Sequence, residues 1–484
     1  MEDSGPLGDM DREAFRREAH RLADWIAEYL SGSERYPVLA RVRPGEIREH
    51  LPAAPPAAGE SFDAIFADFE RVLVPGLTHW NHPNFFAYFA ITGSAPGVLA
   101  EFLSAALNVQ AMLWRTSPAA TELEEVTLSW LRQLLGLPPE FEGVIYDTAS
   151  ISTLHALAAA REVHVPHVRT AGLSGRDLPR FRVYCSDQTH SSIDKAVILL
   201  GLGYEALRKI PSDGEFRMRP DALAAAIAED RGAGWLPIAV VATVGTTSST
   251  SVDPVPEIAR IARDEHLWLH VDAAYAGVAA MVPGWEWILR GAEQADSLVV
   301  NPHKWLFTPF DLSAFYCRRM DVIRAAFALI PEYLKTIEAA PVRNLMDTGV
   351  QLGRRFRALK LWMVLRHFGA DGLRARLAEH MRLARQFADW VDADPLFERL
   401  APVPFSVVCF RVRAPGGDEA AHDRVNERLL DTVNAGGEIF ISHTRLDGRF
   451  TLRLAIGNLH TTEQHVERAW KLIQQTAHEL ARLA

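Results

Sequence analysis

Residues 297–305, Ser-Leu-Val-Val-Asn-Pro-His-Lys-Trp, read as a short apolar strand that stops at a polar cluster ending in one lysine. Asn301-Pro302 breaks the strand, because proline cannot extend a ladder and restricts the residue before it. Lys304 then sits on a loop at the carboxyl end of a strand, where open α/β sheets place their ligands. In an apolar setting beside Trp305 its amine can lose its proton and attack a carbonyl, which is what a Schiff-base lysine needs. Other polar groups follow other apolar runs. Residues 186–192, with His190, follow 182–185; residues 245–248, with Thr246 and Thr247, follow 238–243; Asp272, Ala274 and Tyr275 close 267–271. Asp147-Thr148-Ala149-Ser150 precedes a helical pattern, and the free N–H groups of a helix start suit a phosphate. Singly, each has an ordinary explanation: a surface lysine, a salt-bridged aspartate, a satisfied loop histidine, a helix cap at Asp147 or Ser150. Jointly they point to pyridoxal phosphate. The lysine forms the Schiff base, a carboxylate keeps the pyridine nitrogen protonated, an imidazole stacks on the ring, and hydroxyls with helix N–H groups hold the phosphate.

The elements that must position these groups are legible from texture. Near-continuous apolar runs at 141–146, 182–185, 238–243, 267–271 and 298–300 alternate with helical patterns at 151–164, 220–229 and 256–265. That is the pattern of a parallel sheet buried on both faces and built from βαβ units, so the strand ends share one edge. Before it, residues 11–32 and 62–73 are helical in pattern, joined by a Pro/Ala-rich connector. This opening section offers no strands and no obvious core, and reads as an arm packed on a second subunit. The aromatic stretch 78–89 suits a pocket wall, an interface or a core seam equally. A long helical pattern, 354–368, ends at Gly369; strands at 406–412, 439–443 and 450–455 with helices at 375–391 and 462–483 then suggest a small α+β unit. The expected division is 1–94 for the helical arm, 95–368 for the large α/β domain and 369–484 for the small domain. The 484 residues are 48% hydrophobic and 23% charged, with a net charge of -10, which argues against general nucleic-acid binding. No secretory signal or membrane-length apolar run is visible, and Cys185, Cys317 and Cys409 form no metal or disulfide pattern. A cytoplasmic protein is expected, without metal, membrane or nucleic-acid partners.

The chain resembles the group II pyridoxal-phosphate-dependent amino acid decarboxylases, in particular the aromatic-L-amino-acid decarboxylase branch. The resemblance covers almost the whole chain. It is carried by Thr78-His79-Trp80, by 85–89 (Phe-Phe-Ala-Tyr-Phe), 117–124, 186–192, 270–277 (His-Val-Asp-Ala-Ala-Tyr-Ala-Gly), 301–305 and 352–357. It implies the aspartate-aminotransferase-like fold (fold type I) and an obligate homodimer with active sites at the interface. By the same resemblance Lys304 is the cofactor lysine, Asp272 the partner of the pyridinium nitrogen and His190 the stacking residue. Ala149, Ser150 and Asn301 hold the phosphate, and Thr247, with Thr246 beside it, lies near the cofactor and substrate carboxylate. Ala274 joins the cofactor set, and Gly353 approaches the partner's phosphate site. The implied chemistry is decarboxylation to an amine through an external aldimine and a quinonoid carbanion, which an acid must protonate at Cα. Tyr333, in Ile-Pro-Glu-Tyr-Leu-Lys at 330–335, matches the family's lid tyrosine; a packing aromatic on a helix is the other reading of it.

The substrate is expected to be aromatic, since Trp80, Tyr88, Phe89, Ile91 and Met112, with His190 and Thr247, would make a largely apolar pocket. Ile91 stands where animal members carry a small hydroxyl residue and cannot bond a catechol. Arg115 is odd in such a wall; it could face solvent, pair with Glu122 or bind an acidic substrate. The phosphate turn also departs from the family, because Asp147 would repel a phosphate unless it points away and Ile151-Ser152 follows where glutamate is usual. Two other activities share the scaffold: an aldehyde synthase, which typically lacks the tyrosine or the histidine, and an acidic amino acid decarboxylase. A non-catalytic dimeric scaffold is disfavoured by the intact set of Lys304, Asp272, His190 and Tyr333.

Overall fold

The computed structural model describes residues 8–165, 167–329, 342–414 and 416–483. Tyr333 therefore lies outside the described residues.

A seven-stranded sheet forms the centre. Its strands are β2 (Glu142–Tyr146), β3 (Arg180–Ser186), β4 (Leu207–Ile210), β5 (Trp235–Thr243), β6 (Trp268–Asp272), β7 (Ser297–Val300) and β8 (Ser313–Cys317), in the order β2-β8-β7-β6-β5-β3-β4. β4, β3, β5, β6 and β7 pair in parallel, while β8 runs antiparallel to both neighbours. The sheet is thus mixed, with one reversed strand. The apolar runs have the cause the sequence suggests. Ile238 to Ala242 and Leu298 to Val300 are wholly buried, because helices such as Ala149–His164 cover the sheet face that loops and other helices leave open. β8, Ser-Ala-Phe-Tyr-Cys, is not among the strands expected from the sequence; being reversed, it brings its amino end to the edge where its parallel neighbours end.

A second sheet has the order β1-β11-β12-β10-β9, with β1 at Phe85–Phe86, β9 at Phe397–Arg399, β10 at Val407–Val412, β11 at Phe440–Leu446 and β12 at Arg449–Ala455. β1 pairs in parallel with β11. The opening section thus does contain a strand, contrary to expectation, and gives it to the second sheet. It also has a small core: Trp25 of helix Arg12–Ser31 meets Phe66 and Phe69 edge-on, with ring centroids 6.3 and 5.2 Å apart. Gly369, with φ 63°, interrupts the helical stretch Ala358–Ala393, a conformation glycine adopts without a Cβ penalty. Leu99, Phe102, Leu103 and Leu107 on helix Ala95–Leu107 are roughly half exposed. Among the described residues no helix is long and apolar enough to cross a membrane.

Candidate active site

Because the main strands run in one direction, their carboxyl ends meet along one edge. Asn301 follows β7, Asp272 ends β6, the 245–248 turn follows β5, the His190 loop follows β3 and Ala149 follows β2. A cavity of about 370 Å3 opens there, between this edge and the second sheet. Lys304 lies at its floor on the short helix Pro302–Trp305. Its Nζ is 5.3 Å from the Phe89 ring centroid. Burial lowers the Lys304 pKa, and the Asp272 carboxylate opposes that shift. A larger neutral fraction of the amine results, which is the nucleophilic form.

Asp272 is buried, and one of its oxygens accepts the Ala274 N–H at 3.1 Å. The other oxygen remains available to a ligand N–H. Burial lowers the His190 pKa, Asp272 opposes and Lys304 adds to the lowering. His190 Nδ1 accepts the Ser192 N–H at 3.1 Å, which places the proton of the neutral imidazole on Nε2. Helix Ala149–His164 begins at the cavity without a side-chain cap on Thr148. The N–H groups of Ile151 and Ser152 both turn to the Thr148 carbonyl, so those of Ala149 and Ser150 are the ones left for an anion. Asp147 does not cap the helix. Its carboxylate holds the Thr148 N–H and hydroxyl and, on the other oxygen, Gln351 at 3.2 Å. That turns its charge away from the cavity and resolves the departure at this turn. Asn301 is buried, and its amide oxygen accepts the Ser313 hydroxyl at 2.7 Å.

The apolar side of the cavity is built by Trp80, Tyr88, Phe89 and Ile91. Phe89 stacks on Tyr275 at 3.9 Å, and Tyr275 on Trp305 at 5.0 Å. This ties the wall to the residue next to Lys304. Trp80 stacks on Phe85 at 4.3 Å. Tyr88 has a left-handed backbone, φ 51°, and its N–H donates to Ser442 Oγ.

Three expected members lie elsewhere. Thr246 is wholly buried in the turn after β5, where its hydroxyl meets Ser249 at 3.0 Å and accepts the Ser251 N–H at 2.9 Å. Gly245 and Thr247 face the cavity in its place. Gly245 has φ 89°, and a Cβ there would come within 2.6 Å of Ala276, so only glycine fits. Met112 packs with Leu113 and Met346, away from this chain's cavity. Gly353 also lies outside it, beside Gln110. Arg115 faces solvent, and Glu122 accepts the Trp114 indole N–H at 2.8 Å instead.

The cavity also holds residues not singled out as site members. Arg453 of β12 is buried and lines it. The guanidinium donates to Ser248 O at 2.8 Å, Thr247 O at 3.0 Å and Ser442 Oγ at 3.2 Å. The signal for it was one arginine in the apolar run Phe-Thr-Leu-Arg-Leu-Ala. His303 lines the cavity too, and its Nδ1 accepts the Leu312 N–H at 2.8 Å. Burial pushes its pKa down to about 3, so it is a neutral structural acceptor. Phe310 completes the rim.

Residues 44–413 match the family model described as the pyridoxal-dependent decarboxylase conserved domain. The chain is 41% identical over 482 residues to tryptophan decarboxylase 2 of Oryza sativa subsp. japonica, covering 97% of this chain and 96% of the relative. It is also 41% identical over 481 residues to phenylacetaldehyde synthase of Arabidopsis thaliana, covering 97% of each. The crystal structure of Oryza sativa TDC with PLP and tryptamine superposes with a TM-score of 0.94 at 38% identity, covering 98% of this chain and 99% of that one.

Proposed function

The chain belongs to the pyridoxal-dependent decarboxylase family, and from that premise we propose that it converts an aromatic L-amino acid of the phenylalanine, tyrosine, tryptophan or DOPA type to its amine and CO2. It is an amino acid decarboxylase of fold type I whose cofactor is pyridoxal 5'-phosphate. When bound, the cofactor supplies an electron sink for the breaking Cα–carboxylate bond. The observation that carries the aromatic reading is the cavity itself. A lysine with a lowered pKa lies against Phe89, in an apolar wall that Trp80, Tyr88 and Ile91 extend.

The groups that the cavity residues leave free support the following roles, and that of Tyr333 rests on the resemblance to the family's lid tyrosine. Lys304 offers its amine. Asp272, with one oxygen on Ala274, would offer the other to the ring nitrogen, and the neutral His190 imidazole would stack on the ring. Ala149, Ser150 and Asn301 supply N–H donors to the phosphate, with Ala274 and Thr247 along the cofactor. Thr247 orients the substrate carboxylate. Tyr333 delivers a proton to the substrate Cα once CO2 has left. Gly353 and Met112, outside this chain's cavity, serve a second copy's site in a homodimer. The half-exposed apolar face of helix Ala95–Leu107 supports such a dimer. The division at 94/95 and 368/369 stands as our domain assignment. The cytoplasm is our assignment of compartment, supported by three buried, unpaired cysteines.

Mass spectrometry of products from the twenty amino acids plus DOPA and 5-hydroxytryptophan tests the reading. Amine from aromatic substrates is expected; turnover of glutamate or aspartate alone overturns it. Against an acidic substrate stand Arg115, which faces solvent, and Arg453, which gives three of its five N–H donors to protein oxygens. The second reading, an aldehyde synthase, is favoured by the Arabidopsis relative. Aldehyde and hydrogen peroxide as main products would establish it. With amine as product, Tyr333→Phe is expected to shift output toward aldehyde, ammonia and peroxide.

A further inference from the structure

Asn301 gives its amide oxygen to the protein, and three buried hydroxyl and amide groups in series decide that it does. Ser313 Oγ, on the reversed strand β8, donates to Asn301 Oδ1 at 2.7 Å. Ser152 Oγ, in the first turn of helix Ala149–His164, lies 2.9 Å from Ser313 Oγ. Ser152 and Ser313 are wholly buried and Asn301 nearly so. Each hydroxyl has one proton. Ser152 can give its proton to Ser313, or to the Thr148 carbonyl, which at 3.4 Å is the poorer acceptor. When Ser152 donates to Ser313, Ser313 has only Asn301 as its own acceptor. The Asn301 oxygen is then held and its NH2 is left as the group facing the cavity. The opposite amide orientation would aim an oxygen lone pair at an anion.

We propose that Ser152 and Ser313 are positioning residues that lock the Asn301 amide with its NH2 toward the cofactor phosphate, joining strand β7 to the helix start that supplies the other phosphate donors. This rests on the assignment of pyridoxal phosphate to the cavity and adds the means by which one donor is oriented. It also gives a use to the serine that stands just beyond the usual glutamate position at this turn.

The test separates phosphate recognition from general packing. Full-length protein freed of cofactor is titrated with pyridoxal 5'-phosphate and with pyridoxal, followed by absorbance, and the melting temperature of each apoprotein is read alongside. Ser313→Ala is expected to weaken pyridoxal phosphate roughly three- to tenfold, the worth of one oriented hydrogen bond, and to leave pyridoxal unchanged. Ser313→Thr should restore the difference. Ser313→Cys, close in size but a weak donor, should lose part of it and covers the case in which alanine does not fold. Equal losses for both ligands, or none for either, overturn the relay. A parent protein that binds neither ligand overturns the cofactor assignment beneath it, a result visible before any variant is made.

Discussion

Arg453→Met is the perturbation with the most to say about how the two sheets hold the cavity between them. The guanidinium bonds two carbonyls of the turn after β5 and one hydroxyl of β11. Methionine keeps much of the volume and removes all three donors. A hydrogen bond from a charged donor is worth about 1.5 kcal/mol at the low end, so the three sum to about 4–5 kcal/mol. Relief from burying the charge returns about 1–2 kcal/mol, leaving a loss of about 3 kcal/mol. With roughly 2.1 cal/mol/K of unfolding entropy per residue over 484 residues, that loss lowers Tm by about 3 °C. Arg453→Lys keeps the charge, but a point ammonium cannot reach all three acceptors and should recover about a third. Calorimetry on the parent and both variants measures this. Steady-state kinetics add a second reading: KM for the amino acid should rise, because Thr247 sits on the released turn, while pyridoxal phosphate affinity should change less, because Ala149, Ser150 and Asn301 lie on other strand ends. A methionine variant that melts with the parent would show that these three bonds do not hold the turn after β5 to the second sheet.

Ile91→Ser places a hydroxyl in the apolar wall and should raise kcat/KM for DOPA relative to phenylalanine by about tenfold, the worth of one good hydrogen bond; parallel kinetics on the two substrates check it. Stability should fall between pH 7 and pH 5. Burial holds His82, His270 and His380 at about 4 and His155 and His303 at about 3. Their folded pKa values lie below the unfolded value near 6.5, so the unfolded chain takes up more protons as pH drops, at about 2 kcal/mol per imidazole by pH 5. Asp253, raised to about 7 by burial, acts in the opposite sense over the same range but is one group against five. Melting curves across that range test the balance, and His380→Gln should reduce the proton uptake on unfolding by about one.

The strands that carry the site were readable because a sheet covered on both faces demands unbroken apolar runs, and the polar residues that end those runs had no core to serve. Lys304, Asp272, His190, Asn301 and the helix start at Ala149 all surfaced that way. β8 did not, because it is reversed and brings its amino end to the site, so no polar cluster ends its run there, although it supplies Ser313 to Asn301. Thr246 and Thr247 looked alike in sequence; only the folded turn sends one hydroxyl inward to Ser249 and leaves the other on the cavity. Arg453 reaches the site from β12, more than 200 positions after the carbonyls it bonds; the lone arginine in an apolar run marks it as unusual, but nothing local tells which turn it meets. Phe85-Phe86 reads as an aromatic cluster until its backbone is seen to pair in parallel with β11. Met112 and Gly353 lie outside the cavity, one packed with Leu113 and Met346 and the other beside Gln110, contacts that local sequence does not show.

In the proposed function, cofactor and chemistry meet at Lys304. Borohydride reduction of the purified protein, followed by peptide mapping, measures this directly. The expected result is a bleached absorption band and one phosphopyridoxyl group on the peptide carrying Lys304, with Lys304→Ala taking up none. A label on another lysine, or a protein with no band to bleach, would contradict it.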